Sequence, residues 1–139
     1  MLSRQLKKRL RDHPLDSEPT IILCVDDEEL PLTLRKLVLE KHGYEVITAQ
    51  SATEAMRLIH SRPVGLVLTD QVMPGGSGTE LARSIKEILP HLPVVLMSGI
   101  NEIPPDVMYT DLFISKVEGP TALCAKLSVI LSERRGSLD

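Results

Sequence analysis

Leu66-Val67-Leu68-Thr69-Asp70-Gln71-Val72-Met73-Pro74 is an apolar run that stops on an aspartate and gives way to a glycine-rich loop at Gly75, Gly76 and Gly78. The part from Val64 to Thr69 is short, rich in valine and leucine, and not strictly alternating. That pattern predicts a strand buried on both faces, as in the interior of a parallel sheet. Ligands of open α/β sheets bind beyond the C-terminal ends of such strands. Asp70 stands at that end, which makes its carboxylate the candidate centre of the chemistry.

Working outward, strands and helices alternate. Thr20 to Val25 predicts a first strand, followed at once by Asp26, Asp27, Glu28 and Glu29. Four consecutive acids repel one another unless a cation or a helix N-terminus relieves them. Leu30 to His42 predicts a helix on which Leu30, Leu34, Leu37 and Val38 share a face, with Pro31 in its first turn and Gly43 as its C-terminal stop. Tyr44 to Thr48 alternates as a second strand. Ser51 caps a second helix, with Glu54 at capping-box spacing. Beyond the central strand, Thr79 opens a third helix with Leu81, Ile85 and Ile88 on one face. Pro93 to Met97 predicts a fourth strand, ending in Ser98-Gly99. Leu112 to Ser115 predicts a short fifth strand, ending at Lys116. Pro120 to about Arg134 predicts a last helix, with Leu123, Leu127, Ile130 and Leu131 inward and Gly136 ending it. Five strands alternating with helices imply a parallel sheet covered on both faces.

Composition narrows the function classes. The chain has 139 residues, 42% hydrophobic and 25% charged, which suits one globular domain. One Phe, two Tyr and no Trp argue against a nucleic-acid platform of stacked aromatics. No apolar run approaches the roughly 20 residues that span a bilayer, and the basic N-terminus lacks the apolar core of a secretory signal. Cys24 and Cys124 fall in a predicted strand and a predicted helix, as reduced buried thiols of a cytoplasmic protein would. Five basic residues (Arg4, Lys7, Lys8, Arg9, Arg11) fall within the first 11 positions, whereas residues 12–139 carry 11 basic against 19 acidic groups, a net of -8. So acidic a body does not resemble a DNA-binding domain. Three segments follow: a basic arm and linker over residues 1–19, a domain over 20–135, and a tail over 136–139. The arm has Leu2, Leu6 and Leu10 at helical spacing, stops at His13-Pro14, and would be either a solvated terminus or a contact for an acidic partner.

The residues at the strand ends form one constellation: Asp26 and Asp27 from strand one, Asp70 from strand three, Ser98 from strand four and Lys116 from strand five. A parallel sheet brings these ends to one edge. Three adjacent carboxylates do not ionise together comfortably without a cation, and a hard divalent ion with oxygen ligands, Mg²⁺ first, resolves this. A hydroxyl and an ammonium nearby are what a phosphoryl group needs on its remaining oxygens. The chemistry indicated is phosphoryl transfer with a carboxylate nucleophile.

This pattern resembles the receiver domain of two-component response regulators over about residues 20–134. The resemblance rests on Val25-Asp26-Asp27, on Asp70 followed by Met73-Pro74 and Gly78, on Ser98-Gly99, and on Lys116. It implies a flavodoxin-like (βα)5 doubly wound sheet in strand order 2-1-3-4-5. It implies phosphorylation of Asp70 by a histidine kinase or phosphotransfer protein, with Mg²⁺ held by Asp27, Asp70 and the backbone carbonyl of Val72 and with Asp26 assisting. Ser98 would bind a phosphoryl oxygen and Lys116 would pair with the phosphate. Phe113 falls where the family places its switch aromatic, although a strand needs a packing residue there as well. The domain would catalyse only its own phosphorylation and dephosphorylation. Its output would be an unknown downstream protein or a domain outside this chain, with no direct contact to nucleic acid or membrane.

The chain departs from the family pattern at three places. Val117 follows Lys116 where the family usually has a proline in a cis bond. A cis non-proline bond costs about 2.5–4 kcal/mol, so the loop either carries that strain or takes another course. Only 17 residues separate Ser98 from Lys116, and Pro104-Pro105 lies among them, so a shortened or irregular fourth helix is expected. Val72 stands where many members have a polar side chain near the attacking water, which predicts slow hydrolysis of a phosphoaspartate. Two other functions compete. One is a Mg²⁺-dependent aspartyl-phosphate phosphatase or phosphotransferase, against which Val72 replaces that family's second catalytic aspartate. The other is a pseudo-receiver that signals by binding alone.

Overall fold

Five strands form one fully parallel sheet in the order β2-β1-β3-β4-β5. The computed structural model describes residues 20–99 and 109–138, with side chains up to residue 133. The strands are β1 (Ile21–Val25), β2 (Glu45–Ala49), β3 (Leu66–Asp70), β4 (Val94–Ser98) and β5 (Leu112–Ser115). Among the described residues there are four helices, α1 (Glu29–Lys41), α2 (Ala52–Ser61), α3 (Gly78–Ile88) and α4 (Pro120–Leu138). This is the flavodoxin-like (βα)5 order expected above. The arm over residues 1–19 and the expected shortening of the helix between β4 and β5 fall outside the described residues.

The strand sequences dictate the two-sided core. Side chains alternate across a strand, so Ile22 and Cys24 of β1 face one layer while Leu23 and Val25 face the other. Leu66 and Leu68 of β3 likewise oppose Val67. One layer packs Leu66, Leu68, Val95 and Met97 against Leu32 and Leu39 of α1 and Leu123, Leu127 and Leu131 of α4. The other packs Leu23, Val25 and Val67 against Ala55 and Ile59 of α2 and Leu81, Ala82 and Ile85 of α3. Every residue of β3 and β4 is buried, because helices cover both faces and neighbouring strands cover both edges. Burying each such leucine or valine contributes about 1.5–3 kcal/mol. Cys24 and Cys124 are free and buried, and burial pushes the Cys24 thiol up to about 12.

Two local expectations need correction. The apolar stripe of α1 does not face the sheet: Leu30, Leu34 and Leu37 are exposed, while the buried residues are Leu32 and Leu39. A helix in a β-α-β unit turns whichever face its flanking strands present. Leucines at 32 and 39, with Val38 partly buried beside them, suffice to fill the space over β1. At the other end of the chain, α4 runs through Gly136 to Leu138. A glycine within a helix costs only about 1 kcal/mol, which does not by itself end one. The remaining caps are as expected or tighter. Gly43, at φ +96, closes α1 in a left-handed conformation that side-chain-bearing residues rarely adopt. Ser77 and Glu80 complete a reciprocal capping box on α3, so the helix opens at Gly78, one residue before the Thr79 that the sequence pattern predicts.

The burial pattern makes a direct prediction. Leu68→Ala, fully buried in the central strand, is expected to cost about 2–5 kcal/mol in urea-unfolding stability. Leu37→Ala, on the outward stripe of α1, is expected to stay within about 0.5 kcal/mol of the parent. Equal losses in the two variants would show that the stripe faces the core.

Candidate functional site

At the C-terminal edge of the sheet, local hydrogen bonding fixes each acid before tertiary contacts act. The backbone N–H of Asp26 donates to the carbonyl of Ala49 (3.1 Å), extending the β1–β2 ladder one step beyond the strand. Asp26 Oδ1 accepts the N–H of Glu28 (3.0 Å). That bond satisfies one orphan donor at the start of α1, where Glu28 offers no side-chain cap of its own. Asp26 and Asp70 are buried and Asp27 is half-buried. One carboxylate oxygen from each of the three lies within 4.8 Å of the others.

The loop after Asp70 is held by its own residues. Gln71 N–H donates to Met97 O (2.9 Å), and Gly78 N–H donates to Gln71 O (2.9 Å). The buried Gln71 side chain accepts from both the N–H (2.9 Å) and the hydroxyl (2.8 Å) of Thr79. This clamp folds the loop back so closely that a Cβ on Gly78 would lie 2.3 Å from Asp70 O and 2.6 Å from Leu96 Cδ1. Glycine at 78 therefore reflects close approach of two backbones.

Two cations answer the three acids. Lys116 Nζ lies 2.5 Å from Asp70 Oδ1, although no peptide bond among the described residues is cis. The loop thus takes another course than the family's cis-proline turn and still delivers the ammonium. The contact is a close ion pair that sets the ammonium against a buried carboxylate oxygen. Burial pushes the Asp70 carboxyl above its ordinary value, while Lys116 pulls it the other way. The second cation is Arg35 of α1, whose Nη1 donates to Asp26 Oδ2 at 3.3 Å. Ser98 is fully buried at the end of β4, and its carbonyl accepts the N–H of Lys116 (2.8 Å). Phe113 lies on the outer strand, about one-third exposed. Val72 is exposed at the site's rim.

Asp26, Asp27, Asp70, Ser98 and Lys116 thus converge as the strand ends required. An oxygen-only donor set of three clustered carboxylates fits a hard divalent cation such as Mg²⁺. Arg35 and the Gln71–Thr79 clamp were not foreseen. The signal for Arg35 was present, since positions 32, 35 and 39 share the face of α1 that is buried. It becomes visible only once that face is known. Among the described residues no helix is long and apolar enough to cross a membrane.

Comparison with known proteins gives consistent results. A family model described as the response regulator receiver domain matches residues 22–128. The transcriptional regulatory protein GlrR of Escherichia coli is 33% identical over 96 residues, which are 69% of this chain and 22% of that protein. The chain spans 22% to 51% of the length of the first curated relatives it matches. A response regulator receiver domain protein from Methanospirillum hungatei superposes with TM-score 0.80 at 28% identity, covering 86% of this chain and 99% of that one. The response regulator TrrA from Thermotoga maritima, in complex with Mg(2+)-BeF, gives TM-score 0.76 at 30% identity, covering 80% and 98%.

The close approach at Gly78 is testable without reference to activity. Gly78→Ala is expected to lower unfolding stability by about 1–3 kcal/mol or more, because a backbone oxygen and a buried leucine must both move. Gly76→Ala, whose Cβ would meet only Ala52 at an ordinary 3.8 Å, is expected to leave stability unchanged or slightly raised.

Proposed function

Because this chain belongs to the response regulator receiver family, we propose that it is a phosphorylation switch whose Asp70 carboxylate accepts a phosphoryl group from a histidine kinase or phosphotransfer protein. The observation that carries this reading is the convergence at one sheet edge of the buried Asp70 carboxylate, the Lys116 ammonium in close ion pair with its Oδ1, and two further carboxylates. An ammonium and a cluster of acids around one carboxylate are what a phosphoryl group and its divalent cation require.

In the proposed reaction one Asp70 oxygen forms a bond to phosphorus as the bond from phosphorus to the donor's imidazole nitrogen breaks. The imidazole keeps that electron pair and takes up a proton. Asp27, Asp70 and the carbonyl of Val72, with Asp26 assisting, would hold Mg²⁺, which when bound neutralises charge on the phosphoryl oxygens. Lys116, already at Oδ1, would pair with one phosphoryl oxygen, and the Ser98 hydroxyl would bind another. Ser98 and Lys116 share a backbone hydrogen bond. Movement of Ser98 toward the phosphoryl group therefore pulls on the strand that carries Phe113, three residues before Lys116. The altered β5 surface would meet a downstream protein or a domain outside this chain. Turnover beyond the domain's own phosphorylation and hydrolysis is not part of this function.

Two experiments test it. Incubation with Mg²⁺ and acetyl phosphate is expected to add one phosphoryl group by intact mass, lost in Asp70→Asn. A folded protein that takes no adduct would overturn the phosphoreceiver reading in favour of signalling by binding alone. Val72 offers no polar group to orient water, so the phosphoaspartate is expected to be long-lived and Val72→Asn to shorten its half-life severalfold. An unchanged or longer half-life in that variant rejects the role given to Val72.

A further inference from the structure

Arg35 is the feature of the site that phosphoryl transfer does not call for. Its side chain is only 10% exposed and comes from α1, not from a strand end. Among the described residues it bonds to Asp26 alone, through Nη1 to Oδ2 at 3.3 Å. Asp26 Oδ1 accepts the N–H of Glu28 and Oδ2 accepts the guanidinium, so each oxygen of Asp26 already carries a donor that an incoming cation must share or displace. Asp26 is in turn one of the three carboxylates clustered within 4.8 Å. Arg35 also lines an open cleft of about 440 Å³ between α1 and the loop before α4, beside Lys116, Glu28 and Glu118.

We infer that Arg35 is a resident counter-ion that competes with the divalent cation for Asp26, and so sets how tightly this receiver binds metal. The inference rests on the proposed Mg²⁺ site. A fixed positive charge within bonding distance of a ligand carboxylate repels an incoming divalent ion and occupies a lone pair that ion needs. Removing the guanidinium leaves Asp26 buried and uncompensated, so the variant gains more from metal than the parent does. The coupling is reciprocal. Metal binding loosens the Arg35–Asp26 contact and releases the guanidinium toward the cleft, where Glu28 offers it a second carboxylate. Arg35 is therefore a positioning residue, which never touches the reacting atoms and links metal occupancy to the surface between α1 and the loop before α4.

Isothermal titration with Mg²⁺ and, separately, Mn²⁺ would compare the parent, Arg35→Leu and Lys41→Met. The last removes the same charge from the exposed far end of α1. Arg35→Leu is expected to bind metal at least about tenfold more tightly and to show a larger metal-induced rise in melting temperature. Lys41→Met is expected to match the parent. Equal affinity in Arg35→Leu and the parent overturns the inference while leaving the metal site intact. Absence of binding to both overturns the inference and the metal site together, and tightening in Lys41→Met equal to that in Arg35→Leu reduces the effect to net charge. Should Arg35→Leu fail to fold, the parent serves. Its Arg35 Nε–H resonance is expected to shift with the metal-binding isotherm, and a resonance unmoved at saturating metal overturns the inference. Phosphorylation of the parent by acetyl phosphate, read by mass, tests the receiver reading independently of Arg35.

Discussion

Three carboxylates gathered at the edge of a parallel sheet are the constraint on which the rest of the structure turns. Asp26 and Asp70 are nearly inaccessible to water, and burying one unpaired carboxylate beside another is costly enough to shift its protonation. The fold therefore surrounds them with compensation. Lys116 is brought from β5, Arg35 from α1, and a backbone N–H from the first turn of that helix. None of these is a free-standing decoration, since each also fixes an element in place. The Lys116 N–H ties β5 to the end of β4, and the Asp26 side chain starts α1. Charge compensation and tertiary architecture are the same set of contacts.

The compensation is tightest at one atom. Asp70 Oδ1 is buried and held in a close ion pair by the Lys116 ammonium. The Gln71–Thr79 clamp and the close approach of Gly78 to Asp70 O hold the surrounding backbone in place. A rigid loop around a buried, ion-paired carboxylate is what separates this strand end from an ordinary solvated one.

Arg35 ties one helix face to the acids of the sheet edge. A long cationic side chain on the sheet-facing side of α1 covers apolar surface with its stem and delivers its guanidinium to the acids. Leu34, an outward leucine of the same helix, borders that region on the solvent side. Acidic chemistry, helix face and cleft thus meet at one helix, and none of the three is defined without the other two.

The sequence by itself determined the strands, the sheet class and which residues stand at the strand ends. The reason is that short buried strands leave an unbroken apolar signature and the residue after each has only one edge to occupy. Asp26, Asp27, Asp70, Ser98 and Lys116 were legible for that reason, and all five β-strands lie within two residues of where the pattern puts them. Only the tertiary structure decided which face of α1 turns inward, because the leucine stripe at 30, 34 and 37 and the pair at 32 and 39 both satisfy helical periodicity. The space over β1 selects between them. With that choice came Arg35, whose partner lies nine positions back in sequence and across a turn. The course of the loop after Lys116 was also a tertiary decision. Its ammonium reaches Asp70 through a trans backbone, since a flexible side chain reaches a buried charge from more than one backbone path.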